Sequence, residues 1–495
     1  MSFGFGFALP AYPLRGGTGN NPFNQLGPTL DLSFTGVVTD LTDPNGYTLN
    51  TDFIIPQYQI AAQYVVWETG VGLVDKTFSQ IITFTRASTA TYFDSAGVLQ
   101  TAAINAPRFD YNPSTFAAQG FLIEESRTNS IRNNTMVGAA AGTPGTLPTN
   151  WTTFTTLTGL TREIVGTGTE SGITYIDIRL SGTPSAAGAY FINYETTTQV
   201  VASSGQAWTS SAYYKLQAGS LTGVTAVINA VSARNAVGGD LSSTTTTFVP
   251  TSAALNTQRV SSTIASNPAL TAFETQFLRL DLSGATIDIT LRIGLPQLEQ
   301  GAFATSVIPT TTTALTRSAD VASVNTLSPW YNATEGTMYA QASLISSSYL
   351  GGVLVDVGTG GAFGTTEYIV WTGAAWSLSP NIAPINVTSS VTTSSTAKVA
   401  AGLKVNDSVI AGNGLIGTTD TSCSIASAPT TLSIGKAGWT AGNYLNGWIQ
   451  RITYYPRRLT NLELQTITLP AGATITTQEY SLDTNFIGNT VAIGS

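Results

Sequence analysis

The sequence predicts an all-β protein of tandem antiparallel β-sandwich domains, and three observations carry that prediction. Over residues 129–312, short runs of alternating apolar and polar side chains recur at near-regular spacing, divided by Gly, Ser, Asn and Pro. That is the pattern of strands joined by turns. Only 10% of the 495 residues are Asp, Glu, Lys or Arg, where about a quarter is usual. Hydroxyl side chains take their place, as in extended β proteins. Helix signals are nearly absent: the capping box Thr460-Asn461-Leu462-Glu463 predicts one short helix over about 460–467, almost the only one.

The elements follow in chain order. Residues 1–30 are rich in Gly, Pro, Asn and aromatics without a sustained period, which predicts an extended N-terminal arm. Phe3, Phe5, Phe7 and Tyr12 are its candidate docking residues toward a neighbouring subunit, a disordered tail being the alternative. Leu30 to Phe34 reads as the first strand of the folded body, and residues 59–67 as another. Between them Asp43-Pro44-Asn45-Gly46 is turn chemistry, and it lacks the ligand spacing of a calcium loop.

Residues 84–129 read FTRASTATYFDSAGVLQTAAINAPRFDYNPSTFAAQGFLIEESRTN. Physically this is strand, turn at Asp94-Ser95-Ala96-Gly97, strand, turn at Asn112-Pro113-Ser114, and a buried strand at Phe121-Leu122-Ile123. The block resembles one found in structural proteins of tailed bacteriophages, where "FTRAS-ATYFD-x-G", "PRFDYDP" and "GLLIEE-RTN" follow in this order. The resemblance implies a β-rich scaffold region over 31–128 in a virion component of the fibre, spike or decoration type, on tail or head.

Three further pieces, GTLPTNWT (145–152), SSGQAWTSSAYYKL (203–216) and LRIGLPQLEQGAFATSVIPT (291–310), resemble a carbohydrate-binding-module-like jelly roll. They imply one such domain over 129–312. The Thr/Ser-rich stretch 309–328 reads as a linker, so that 313–330 separates this domain from the next. Residues 431–468, with the hairpin at 398–414, resemble concanavalin-like or laminin-G-like jelly rolls and imply a second domain over 331–470. Lys404 and Val405 depart from that pattern where a ligand would be inferred. Residues 471–495 remain as a C-terminal strand or tail. No fixed-period repeat supports a solenoid.

Composition excludes several chemistries. Histidine is absent, which removes Ser-His-Asp and Cys-His catalysis and His-bound zinc. A single cysteine, Cys423, excludes internal disulfides and cysteine clusters, and it reads as a small buried residue. No cofactor is expected; oxygen ligands suited to calcium are conceivable only through the second jelly-roll resemblance, and no ligand set is legible. A net charge of −8 with no long basic run argues against nucleic acid. No apolar run reaches the ~18–20 residues of a membrane-spanning helix. The first residues lack the features of a secretory signal, which fits release by lysis.

Sugar recognition by sandwich modules relies on aromatic faces. Trp208 and Trp448 sit inside strand patterns and read as core; Trp151, Trp371, Trp376 and Trp439 lie near turns and are the candidate glycan contacts, core packing being the competing reading. Among carboxylates, Glu124 and Glu125 point to opposite faces, one pairing with Arg108 or Arg127 and the other solvated, while Asp281 and Asp288 could meet across a hairpin. GTGGAFG at 358–364 is not a dinucleotide fingerprint, because Phe363 stands at the third glycine position. No catalytic set emerges. The expectation is therefore a non-enzymatic virion protein, a homo-oligomer with a trimer favoured, joined to other virion proteins through its arm, with host surface polysaccharide as a candidate ligand. A polysaccharide-degrading enzyme and a non-phage bacterial adhesin are the alternatives.

Overall fold

The strand Gly447–Tyr455 shows how this sequence builds its larger sandwich. Ile449, Ile452 and Tyr454 turn inward; a register shift opposite Gln341 and Ala342 interrupts strict alternation and lets the strand bend. Three distant pieces of chain pair with it: Leu30–Ser33, Ala118–Ile123 and Glu335–Leu344. Gly120, at φ +118°, allows one of these approaches, since a Cβ there would stand 2.4 Å from the Ile449 carbonyl oxygen.

The computed structural model describes residues 30–34, 64–68, 72–470 and 473, apart from short breaks at 348–350, 360–365, 381–388, 393, 395, 427 and 441. Among these residues the protein is all-β: antiparallel strands dominate, with the short helices Phe78–Ile81 and Asn461–Thr468 and one 3-10 turn, Leu255–Thr257. The predicted capping box forms at Thr460, which accepts from the Glu463 amide while Glu463 accepts from the Thr460 amide at 2.7 Å. The proposed arm, the turn at 43–46 and the C-terminal strand or tail lie outside the described residues, but for Leu30 and Ala473 at their margins.

Two sandwiches are present. The first lies wholly within 129–312. One of its sheets orders Leu160–Glu170, Ile173–Gly182, Ile287–Gln300, Trp208–Gly219 and Arg259–Ile264. The facing sheet orders Thr152–Phe154, Gly188–Asn193, Phe273–Leu282, Val224–Arg234 and Asp240–Phe248. Ile176, Ile178 and Leu180 from one sheet meet Leu278, Leu280 and Leu282 from the other. Asp281 and Asp288 therefore do not meet across a hairpin: their strands belong to different sheets, and they bind Arg279 and Arg179 instead.

The second sandwich is discontinuous. Its larger sheet runs Gly72–Lys76, Tyr64–Glu68, Leu30–Ser33, Gly447–Tyr455, Glu335–Leu344, Thr396–Lys404, Val409–Gly412 and Leu415–Ile416. The facing sheet runs Ser389–Thr392, Ala375–Pro380, Glu367–Trp371, Gly352–Gly358, Thr431–Ile434, Val321–Val324 and Thr83–Thr85. Leu30, Leu32, Phe34 and Phe121 share one core with Ile369, Leu432 and Ile449. The region expected as a separate scaffold over 31–128 thus supplies strands to this sandwich.

The stretch expected as a linker over 313–330 is structured as well. Leu315–Arg317 pairs with Arg127–Asn129, Val321–Val324 joins a sheet, and Trp330 is buried against Tyr331 and Tyr454. At the neck the Thr316 hydroxyl meets that of Thr128 at 2.7 Å. The first sandwich is an insertion in the second, held on a two-stranded neck.

Candidate functional site: the junction and its cleft

At that neck the sequence places five charged side chains with almost no solvent exposure: Arg86, Arg108, Glu124, Arg317 and Asp320. Arg108 donates to Glu124 at 2.8 Å and to Asp320 at 2.5 Å, forking between the two carboxylates. Arg86 reaches Asp320 at 3.1 Å and the carbonyls of Ser88 and Ala103. Arg317 donates to Glu124 and to the Glu125 carbonyl. The Ser306 amide and hydroxyl complete Glu124 at 2.7 and 2.6 Å.

Burial alone would disfavour each of these charges. Against it, Arg317 and Arg108 hold the Glu124 carboxyl well below the usual carboxylate range, and Asp320 and Glu124 hold the Arg108 guanidinium above its own. The expectation that only one of Glu124 and Glu125 pairs, with the other in solvent, does not hold: Glu124 takes Arg108 and Glu125 takes Arg127 at 2.5 Å, because the neck brings an arginine to each face of the strand end. Asparagines extend the arrangement: Asn129 and Asn134 both donate to the Pro296 and Ile308 carbonyls, clamping the two ends of the inserted sandwich.

Beside this cluster opens a cleft of about 300 Å³, walled by the Phe84–Asn129 block and by both sandwiches. Trp448 borders it, half-buried, and its indole N–H donates to Asp110 at 2.8 Å. The second Asp110 oxygen accepts from the Phe93 amide at 2.7 Å. Burial pushes the Asp110 carboxyl up to about 6 despite these donors. From the inserted sandwich come Arg259, Asn256 and Tyr213. Arg259 donates to the Thr305 carbonyl at 2.7 Å and to the Ser211 hydroxyl at 2.9 Å, and lies over the Tyr213 ring. Asn256 donates to the Gly97 carbonyl, and its own carbonyl oxygen is buried without a partner.

The four candidate tryptophans are not brought together. Trp151 packs edge-on against Tyr194 in the inserted core, ring centres 4.6 Å apart, and is 5% exposed. Trp371 and Trp376 face each other on neighbouring strands inside the second core, 2% and 0% exposed. Trp439 is half-buried on the opposite face of that sheet, against Tyr368. Three of the four rings thus offer no open face to a ligand. Trp448, expected as core, is the tryptophan that borders the cleft. Its partner Asp110 stands in the recognised block as PRFDY, and a carboxylate between apolar strand residues was the one available signal. Cys423 is buried, as expected.

Among the described residues there is no group of three or more acidic or cysteine side chains placed to share a metal ion, and no helix long and apolar enough to cross a membrane. No family model matches this sequence, and no relative is found among curated proteins. Solved structures give loose likenesses. A carbohydrate-binding module of the Ruminococcus gnavus IT-sialidase, bound to α2,3-sialyllactose, matches at 16% identity over 28% of this chain and 84% of its own, TM-score 0.25. A tandem CBM22 pair from Paenibacillus barcinonensis Xyn10C matches at 11% identity over 64% and 98%, TM-score 0.22. The Trypanosoma rangeli sialidase with the inhibitor DANA matches at 10% identity over 64% and 68%, TM-score 0.22. At these scores neither a topology nor a function transfers to this chain.

Proposed function

We propose that this protein is a non-enzymatic structural component of a tailed-phage virion, a fibre, spike or decoration that presents its sandwiches toward host surface polysaccharide. The observation that carries the reading is the fate of the recognised block. Arg86, Arg108 and Glu124 are all consumed by the buried cluster at the neck. Their polar identity is accounted for by joining two sandwiches, not by a pair of carboxylates facing a substrate. A rigid junction of this kind suits a part that must hold its shape through release and adsorption. A homo-oligomer, with a trimer favoured, and attachment to other virion proteins through residues 1–30 complete the proposal. Each glycan contact would be weak, and repetition over copies would raise avidity by about 10²–10⁴.

Purified particles test this directly. Quantitative mass spectrometry should find the chain at a fixed copy number per particle, and chain lacking residues 1–29, which keeps the buried Leu30, should fold but stay off the particle. Absence of the full chain from purified particles would refute the virion role, and hydrolysis of capsule or lipopolysaccharide by the pure protein would refute the non-enzymatic one.

A further inference from the structure

We propose that the cleft between the two sandwiches binds an uncharged saccharide, one or two rings of a longer glycan, against Trp448 and Tyr92. This rests on the glycan-binding part of the preceding reading and adds the site and the ligand's chemical class.

Size comes first. A volume of about 300 Å³ stands at the lower end of small-molecule clefts, about 300–1,000 Å³. It admits a small ring compound and excludes a helix or a folded partner. The surfaces come next. The Trp448 and Tyr92 side chains both border the space and are both half-buried. Because Asp110 holds the Trp448 N–H, the indole is fixed in orientation before any ligand arrives, so little rotamer freedom remains to be lost on binding. Fixed aromatic rings suit the C–H faces of sugars.

Charge then selects within the sugars. Asp110 already accepts from the Phe93 amide, the Trp448 indole and Gln119. Glu124 is taken by Arg108 and Arg317, and Arg259 is held by Thr305, Ser211 and the Tyr213 ring. A cationic ligand would meet no carboxylate that is not already engaged; an anionic one would meet only Arg259, whose two end nitrogens already donate and whose Nε is buried, and an unpaired ion moved out of water is costly. Hydroxyl groups make no such demand. Gln119, Asn112, Ser114 and Thr257 give the wall amide and hydroxyl groups that are at least partly exposed, the complement of a polyhydroxylated ring. Gln119, Asn112 and Thr257 each make one or two hydrogen bonds within the wall, and a lipid chain would take their remaining donors and acceptors out of water without replacing those bonds.

The test uses the purified full-length protein, immobilised densely, on an array carrying neutral hexose and N-acetylhexosamine oligosaccharides beside sialylated and uronic-acid ones. Hits are followed in solution by tryptophan fluorescence and calorimetry. Two variants address the cleft: Trp448→Ala removes a ring, and Thr257→Trp fills the space from an exposed position at the end of the 3-10 turn. Trp151→Phe is the control outside the cleft. The expected result is binding of a neutral glycan with a change in fluorescence, at least about tenfold weaker in both cleft variants and unchanged in the control. Should Trp448→Ala fail to fold, Thr257→Trp decides alone. Undiminished binding by a folded Thr257→Trp overturns the cleft assignment and leaves glycan binding standing elsewhere. Preference for acidic glycans overturns the ligand class. A blank array overturns the proposal together with the glycan part of the function, whereas the virion role is judged separately on particles.

Discussion

The two sandwiches reach the same architecture by opposite routes. The inserted one is built from a single unbroken stretch, and every strand it uses lies between residues 152 and 300. The outer one borrows strands from residues 30–33, 64–68, 72–76, 83–85 and 118–123, and those at 30–33, 83–85 and 118–123 pair with strands between about 240 and 420 residues later in the chain. Ordering long-range pairs means closing long loops before any contact rewards them. The comparison teaches that the outer sandwich depends on the neck: the ends of the insertion must be pinned together before its own halves can meet. The buried cluster does that pinning.

The largest effect should come from cutting the chain. Residues 127–317 expressed alone contain all strands of the inserted sandwich and both strands of the neck, and should fold with a cooperative melt. Residues 313–495 alone keep Glu335–Leu344 beside Gly447–Tyr455 but lose Leu30–Ser33 and Ala118–Ile123 from its other edge and Thr83–Thr85 from the facing sheet, and should show no native β signal by circular dichroism and no dispersed amide spectrum. A well-folded 313–495 fragment would mean that the early strands are ornaments on an autonomous sandwich.

Next comes the cluster. Glu124→Ala leaves Arg108 and Arg317 buried without their shared carboxylate, a type of loss worth about 3–5 kcal/mol. Leu278→Ala in the inserted core creates a cavity costing about 2–5 kcal/mol. The magnitudes are similar and the consequences should differ. Glu124→Ala should lower the melting of the outer sandwich and loosen the neck, read as faster amide exchange around Asn129 and Thr316. Leu278→Ala should destabilise only the inserted sandwich. Equal effects of both variants on both melts would mean that the two bodies unfold as one.

This asymmetry also governs what the sequence could reveal. Periodicity is a local signal, and the inserted sandwich is a local object, so its extent was legible from Trp208 to the Pro296-Gln297-Leu298 phrase. The outer sandwich was legible only at its C-terminal end, because Leu32 and Phe121 look like any strand residues until Ile449 is beside them. Residues 313–330 looked like a linker because Thr and Ser serve strand edges and loops equally well. The cleft was illegible for the same reason: Tyr92, Arg259 and Trp448 come from three separated segments. Turn-proximal tryptophans were a poor guide, since Trp371 and Trp376 flank a tight hairpin whose inward face is core.

Acidity should divide the sandwiches more gently. Burial, acting first in each case, raises Asp110 and Asp356 to about 6 and Glu274 and Glu367 to about 7. A carboxyl with a raised pKa in the folded state holds its proton where the unfolded chain, near pH 4, has released it. Stability is therefore lost as pH rises from about 4 through 7. On the acid side, Arg457 and the Thr460 amide hold Glu463 down to about 2 against the pull of burial, and Glu124 also lies low. Those contributions are lost as pH falls below about 4. The melting temperature should peak between about pH 4 and 5. Asp356 and Glu367 lie in the outer sandwich and Asp110 at its junction, against Glu274 alone in the insertion, so the outer transition should move more. Glu367→Gln should flatten its slope above pH 5; an unchanged slope would remove Glu367 from this account.

The smallest expected effect is at the helix Asn461–Thr468, the last described element of the outer sandwich. Thr460 caps it: the Thr hydroxyl accepts from the Glu463 amide, and the Glu463 carboxylate, itself paired with Arg457, accepts from the Thr460 amide. Leu464 from this helix is fully buried against Tyr339 and Val409, so the helix covers a second, smaller apolar patch on the far side of the large sheet. Thr460→Ala removes one acceptor and leaves the Glu463 bonds and the Leu464 contact in place. The loss should be about 1 kcal/mol, typical of an N-cap, and confined to the outer transition. Leu464→Ala should cost more, about 2–5 kcal/mol, because it opens the patch itself. If Thr460→Ala proved the more damaging of the two, the cap would be holding the sheet edge closed rather than finishing a helix. The dependence of the outer sandwich on its distant strands would then extend to its C-terminal end.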